Sequence, residues 1–307
     1  MTRHKRSSCG QAYVLTILFL VVLLGMAAAV LDVGSWYRAQ RALQATVDAA
    51  ALAGAQKLPE STSEANALAS QYAAKNGGGS ITVSFKSGVV PHDTITVQGS
   101  RQAPGFFSKV FGVHAVTVTA HATARTGGIS QAKYVVPIVV DEKHPKLQCN
   151  PNPCSGATEL DYQHLKANGS KDGSGNFGFI NLTGDNGTGT SDLEKWITNG
   201  FDKYLGLGDY DARTGNPFSS SHIEDVLDAR IGDILLFPVY RKLTGTGTGA
   251  KYEIVGWAGF RITGLDFHGT NEKIFGEFVS VTWDGIQAGS SGSPPPDFGV
   301  KNVSLID

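Results

Sequence analysis

Strong charge of either sign is missing from this sequence. The 307 residues carry 26 Lys and Arg against 27 Asp and Glu, a formal net charge of −1, so no electrostatic footprint for nucleic acid is present. Cysteine is nearly absent. Three occur: Cys9 alone, then Cys149 and Cys154 within "CNPNPC". Two thiolates with no further ligand spaced near them do not make a zinc site. In an oxidising compartment the pair can close a disulfide, with Cys9 left on the reducing side. Catalytic signatures are missing too. There is no G-x-S-x-G, no H-E-x-x-H and no P-loop. His222, Glu224 and Asp225 in "SHIED" lack a nucleophile partner and read as surface polar residues. Asp161, Glu224, Asp233 and Glu253 are the carboxylates that a hydrolase reading would have to draw on, since paired acids can lie far apart in a chain.

What the sequence does have is a long apolar run. Ala12 to Leu31 is uncharged, and 12 of its residues are Leu, Ile, Val or Phe. Such a run favours membrane insertion by roughly 5 kcal/mol and spans about 30 Å as a helix. Arg3, His4, Lys5 and Arg6 precede it, and the first charge after it is Asp32. The positive-inside bias therefore predicts a cytoplasmic N-terminus, with everything beyond Asp32 outside. The competing reading is a signal peptide cut near Ala27–Ala29, against which the run is longer than the usual h-region. Cleavage at Gly10–Gln11, as in pilin-type leaders, lacks the customary glutamate five residues on, where Leu15 stands.

Helical periodicity continues past the span. Leu43, Val47, Ala50, Ala51, Gly54 and Leu58 form one stripe. Beside it, Ala45, Ala49 and Ala53 form a small-xxx-small row that would let another helix approach closely. Asp48 sits among these alanines, either solvated or facing a charge on a neighbouring subunit. Pro59 is expected to end the helix. Ser61 and Glu64 read as a capping box for a second helix closing at Asn76–Gly77. Three alternating runs follow as antiparallel strands (81–85, 93–100 and 114–124), with "PGFFSKVFG" at 104–112 expected to be helical.

The predicted fold class is α+β. A cytoplasmic stub (1–11) leads to a transmembrane and extended helix (12–58). A small α+β unit with three antiparallel strands (59–126) is followed by a glycine-marked linker (127–132). A β-rich extracytoplasmic domain (133–284) and a flexible tail (285–307) complete the chain. In the β-rich part, helices are expected at 191–205, capped by Ser191 and Glu194, and at 220–232. Strands are expected at 133–140, 233–243, 250–267 and 273–283. "DGSGNFG" (172–178) and "DYDARTGN" (209–216) have the look of calcium loops but miss the glycine position and the closing glutamate.

The stretch "LDVGSWYRAQRALQATVDAAALAGA" resembles the N-terminal signature of TadE/TadG-like proteins, pilin-like components of bacterial Flp (tight adherence) pilus systems. Asp32, Gly34, Trp36, Tyr37, Arg41, Leu43, Gln44, Asp48 and the alanines from Ala49 to Ala53 fill its places. "FFSKVFGVHAVTVTAHATAR" is similar to the strand that commonly follows, and the run from "NFGFINL" to "GEFV" looks like the C-terminal region of longer members. The resemblance implies a non-enzymatic, single-pass membrane protein without cofactor or metal. Its partners would be other pilin-like subunits and the membrane platform that assembles the pilus. Asp32, Gly34, Tyr37, Arg41, Gln44, Ala45, Asp48, Ala49 and Ala53 would be its motif and packing residues. The alternative is a membrane-tethered adhesin that binds through residues 133–284.

Overall fold

The computed structural model describes residues 9–306 apart from 89, 150–151, 163, 166–170, 173–176, 185–188, 214–217, 219–220, 246–248, 268–271 and 288–294. The chain divides into two compact units. The first comprises residues up to 87, 92–125 and 304 onward, and the second 88–91 and 126–303.

The first unit is built on α1 (Cys9–Ala55), a 47-residue helix about 70 Å long at 1.5 Å per residue. Its side chains from Tyr13 to Leu24 are exposed, the state required of a helix that meets lipid. It stops three residues before the expected end. The N–H groups of Gln56, Lys57 and Leu58 bond the carbonyls of Ala53, Gly54 and Ala55, a 3-10 tightening that uses up otherwise orphaned carbonyls. α2 (Thr62–Lys75) opens where expected, with Ser61 accepting the Glu64 N–H. Its exit is a glycine turn, Gly77 to Gly79, all at positive φ, a conformation that glycine adopts without a Cβ clash. Arg101 donates to the carbonyls of Gly77 and Gly78.

β1 (Ser80–Lys86), β2 (Thr94–Pro104) and β3 (Ala115–Ala132) form an antiparallel meander, Val83 facing Val97 and Val97 facing Ala122. Alternation along β3 is close to strict, as one buried and one wet face require. "PGFFSKVFG" is not an α-helix. It is an irregular turn containing a single 3-10 segment, Ser108–Phe111. The segment expected as a linker, 127–132, is strand: β3 runs on through it to Ala132. Gly128 sits where a later segment of the same chain passes close. A Cβ on Gly128 would lie 3.2 Å from Pro295.

The second unit is a mixed sheet with helices. Its strands are β4 (Ile138–Asp141), β5 (Thr158–Asp161), β6 (His164–Leu165), β7 (Lys171–Asp172), β8 (Phe177–Phe179), β9 (Leu205–Gly206), β10 (Gly208–Asp211), β11 (Ile234–Thr244), β12 (Lys251–Asp266), β13 (Lys273–Val279), β14 (Val281–Thr282), β15 (Gly285–Gln287) and β16 (Val300–Leu305). The main sheet has the order β5-β13-β12-β11-β4-β8, with β10 on β12. Its pairs are antiparallel except β11 with β4. The strand expected at 133–140 is broken: Val135 makes isolated bridges, and regular pairing starts only after Pro137, which has no N–H to donate.

α3 (Thr190–Asn199) and α4 (Ser221–Asp228) complete the second unit, both shorter than expected. The box at Ser191 and Glu194 is displaced. Gly189 is the N-cap, and Asp192 accepts its N–H at 3.0 Å. α3 stops at Gly200, where positive φ and the Tyr134 backbone exclude a side chain: a Cβ would lie 2.6 Å from the Tyr134 carbonyl oxygen. The tail is a correction as well. Gly285–Gln287 pairs with the end of β3, and Val300 joins β14 in parallel. Between them, 288–294 lies outside the described residues.

Cys149 and Cys154 are joined as a disulfide. Nearby, His144 is buried, its Nδ1 accepts the Lys146 N–H at 3.2 Å, and its ring meets Phe278 edge-on. Burial holds this imidazole below its ordinary pKa, against smaller upward pulls from a Glu159 backbone hydrogen bond and the Asp141 charge. The unfolded chain therefore binds the proton first. Stability should be full above about pH 6.5 and fall as pH drops below it, by at most about 1.4 kcal/mol per pH unit. Denaturant melts of the wild type and His144→Gln between pH 7.5 and 5 check this. The substitution should flatten the slope, and an unchanged slope would assign it to other groups.

Candidate functional site

The residues singled out in the sequence lie on α1 from Asp32 to Ala53, and helix geometry divides them between two faces. The inner face carries Leu43, Val47, Ala50, Ala51 and Gly54, all buried. Alanine and glycine here allow close approach within the chain itself. A Cβ on Gly54 would lie 2.5 Å from Ile95 Cδ1, 3.0 Å from the Ala65 oxygen and 3.2 Å from Ala69 Cβ. α2 answers with its own buried alanines, Ala65, Ala69 and Ala73.

A substitution series separates this packing from helix propensity, which favours Ala over Gly by about 1 kcal/mol. Gly54→Ala should fail to stabilise, and Gly54→Leu should cost about 3 kcal/mol by overpacking. Gly34→Ala, with nothing within 4 Å of its Cβ position, should be neutral or slightly stabilising. Denaturant midpoints of the detergent-solubilised chain read the difference. A stabilising Gly54→Leu would refute the close α1–α2 contact.

Asp32 belongs to the inner face. It is 2% exposed, and its carboxylate accepts three consecutive backbone N–H groups. Phe106 donates to Oδ1 at 2.9 Å, Phe107 to both oxygens at 3.2 and 3.1 Å, and Ser108 to Oδ2 at 2.6 Å. The residue caps the turn between β2 and β3 much as an acidic N-cap caps a helix. Trp36, one turn on, donates its indole N–H to the Pro104 carbonyl at 3.3 Å. Gln44 bridges outward and inward at once: its amide reaches Asp48 Oδ1 and the His121 carbonyl, both at 2.8 Å. Asp48 is thus held within its own chain and half-buried. Thr46 and the partners of the Asp32 carboxylate were not singled out in the sequence. Thr46 Oγ1 bonds Asn76 across 30 residues.

The outer face carries Gly34, Tyr37, Arg41 and Ala45, all exposed. Arg41 donates to the Tyr37 hydroxyl at 2.9 Å, with its guanidinium carbon 5.2 Å from the ring centroid. The alanine row does not stay on this face. Each four-residue step turns 40° beyond a full rotation at 3.6 residues per turn, so Ala45 is exposed, Ala49 half-buried and Ala53 buried in its own unit. Ala53 is therefore no part of a surface open to a neighbouring helix.

Elsewhere, the candidate polar residues take structural roles. Asp161 lies 3.6 Å from Lys273, Asp233 pairs with Arg230 at 2.6 Å, and exposed His222 lies 3.4 Å from Glu194. Asp211, the third residue of the second calcium-like loop, pairs with Lys251 at 2.8 Å. Residues 173–176 and 214–217 of the two loops lie outside the described residues. Among the described residues no cluster of three His, Cys, Asp or Glu is placed to hold a metal.

Residues 10–57 match the family model described as putative Flp pilus-assembly TadE/G-like. The match covers about a sixth of the chain and coincides with α1. Comparison with the curated proteins and with the solved structures finds no match.

Proposed function

We propose that this chain is a non-enzymatic, membrane-anchored component of an Flp-type pilus system, with its N-terminus in the cytoplasm and both folded units outside. The carrying observation is the match of residues 10–57 to a pilus-assembly family, on a helix long and apolar enough to cross a membrane. The outer stripe of Gly34, Tyr37, Arg41, Ala45 and the rim residue Ala49 would face pilin-like subunits. Small side chains there allow two helix backbones to come close. Asp32 and Gln44 would maintain this stripe by fixing α1 to its own sheet.

Shearing cells and immunoblotting the filament and membrane fractions tests the reading. Recovery with sheared filaments makes the chain a minor pilin, and Ala45→Leu should then reduce incorporation several-fold. Retention in the membrane together with loss of pili on deletion makes it an anchored assembly factor. Normal pili and no cofractionation would sink both. A second reading rests on the separate hydrophobic core of the second unit: a tethered binding protein acting through residues 133–284. Deleting that segment should then abolish attachment while filaments persist.

A further inference from the structure

We propose that the β2–β3 turn, Gly105–Val113, is a second membrane contact, an apolar wedge seated in the lipid beside the point where α1 leaves the bilayer. The turn exposes an unusual amount of hydrocarbon: Val110 is 84% exposed, Phe111 83% and Phe106 63%, with Phe107 and Val113 also open. Residues so apolar gather on a soluble surface only where something covers them.

Its position on α1 identifies the cover. The Asp32 carboxylate holds the Phe106–Ser108 amides, and Phe107 and Phe111 line a crevice with Gly25, Ala28 and Ala29 of α1. Gly25 lies seven residues before Asp32, roughly 10 Å along the helix axis towards the centre of the span. The phenyl rings thus sit beside the last turns of the apolar helix, and their exposed surface is continuous with the exposed surface of the span. Wherever Ala28 meets lipid, Phe111 meets it too.

The backbone of the turn is also prepared for a dry setting, where an unpaired N–H is costly. Asp32 takes the N–H groups of Phe106, Phe107 and Ser108. Gly105 bonds the His114 carbonyl, Val110 that of Phe107, Gly112 that of Lys109 and Val113 that of Ser108. The Ser108 hydroxyl donates to the Val113 carbonyl. Lys109 is exposed in the same turn, with a stem long enough to carry its ammonium up to the phosphate level.

The inference rests on the reading of α1 as a membrane anchor, so the test reports on both. In a Cys9→Ser background, with Cys149 and Cys154 tied in their disulfide, single cysteines are placed at Val110, at Val22 within the span and at Lys86 on β1. Each full-length chain is spin-labelled and reconstituted in phosphatidylcholine–phosphatidylglycerol vesicles. Collision with oxygen, which partitions into lipid, is compared with collision with a water-soluble nickel chelate. A label at Val110 should favour oxygen as the Val22 label does, and Lys86 should favour nickel. Oxygen at Val22 with nickel at Val110 overturns the wedge and leaves the anchor standing. Nickel at both positions overturns the anchor itself. Shielding of Val110 from both reagents means that protein covers the turn, which also overturns the proposal.

Discussion

Replacing Asp32 by alanine should free the β2–β3 turn from α1. Three adjacent amides lose their shared acceptor at once, and the exposed phenylalanines lose their tether. Hydrogen exchange at Phe106, Phe107 and Ser108 should accelerate by on the order of tenfold or more, since protection there depends on this local closure. Chymotrypsin should begin to cut after Phe107 or Phe111 in the detergent-solubilised chain. Asp32→Asn keeps a neutral acceptor but gives up the charge-assisted character of the bonds, so its turn should open to an intermediate extent. Equal protection in all three proteins would show that the turn is held by its internal hydrogen bonds alone. Because Asp32 also ties α1 to its own sheet, Asp32→Ala should lower filament incorporation along with turn protection if the outer stripe packs against other subunits.

That aspartate also shows where sequence reading stops. Its place in the family pattern is evident from "LDVG", and the first charge beyond an apolar run marks the end of the span. Its role depends on a turn more than 70 residues away, and nothing in a single sequence couples the two. The strands were legible because "ITVSF" and "VTVTAHATA" alternate with period two and one face of the meander is wet, which β3 repeats in its burial. The linker expected at 127–132 is strand instead: its glycines normally mark turns, whereas Gly128 here admits Pro295 beside a continuing strand. The tail was misread for the opposite reason. Its Ser, Gly and Pro content dominated the reading, while Val300–Leu305 still pairs as a strand. Helix α3 was placed correctly and capped wrongly, since Ser-x-x-Glu and Gly-x-x-Asp lie two residues apart and both offer a carboxylate at the third position. The inner and outer faces of α1 followed from periodicity near Leu43 and Val47. They blurred along the alanine row, which winds from solvent into the core.

Phe260→Ala should be the most damaging single change in the second unit. Phe260 is fully buried on β12, stacks on Phe237 at a centroid distance of 5.2 Å and meets Phe278 edge-on at 4.9 Å. The opposing strand is shaped around it: Gly276 has no room for a side chain because a Cβ would collide with the Arg261 carbonyl oxygen and lie 2.5 Å from the Phe260 ring. A large ring facing a glycine leaves a void that no neighbour can fill, so relaxation after truncation is limited and the cavity remains. The cost should be about 3–5 kcal/mol, a fall in Tm of roughly 10 °C for a unit of this size. Tryptophan emission reports it, since Trp196, Trp257 and Trp283 all lie in the second unit. Gly276→Ala should destabilise comparably from the other side of the same contact. In the double variant Phe260→Leu/Gly276→Ala the ring's share of the clash is relieved while the Arg261 carbonyl still crowds the methyl, so the loss should be only partly smaller than the sum of the two single changes. Strict additivity would mean that the Arg261 carbonyl alone sets the cost at Gly276. A destabilised second unit that still permits filament assembly would separate the role proposed for α1 from the folding of the second unit.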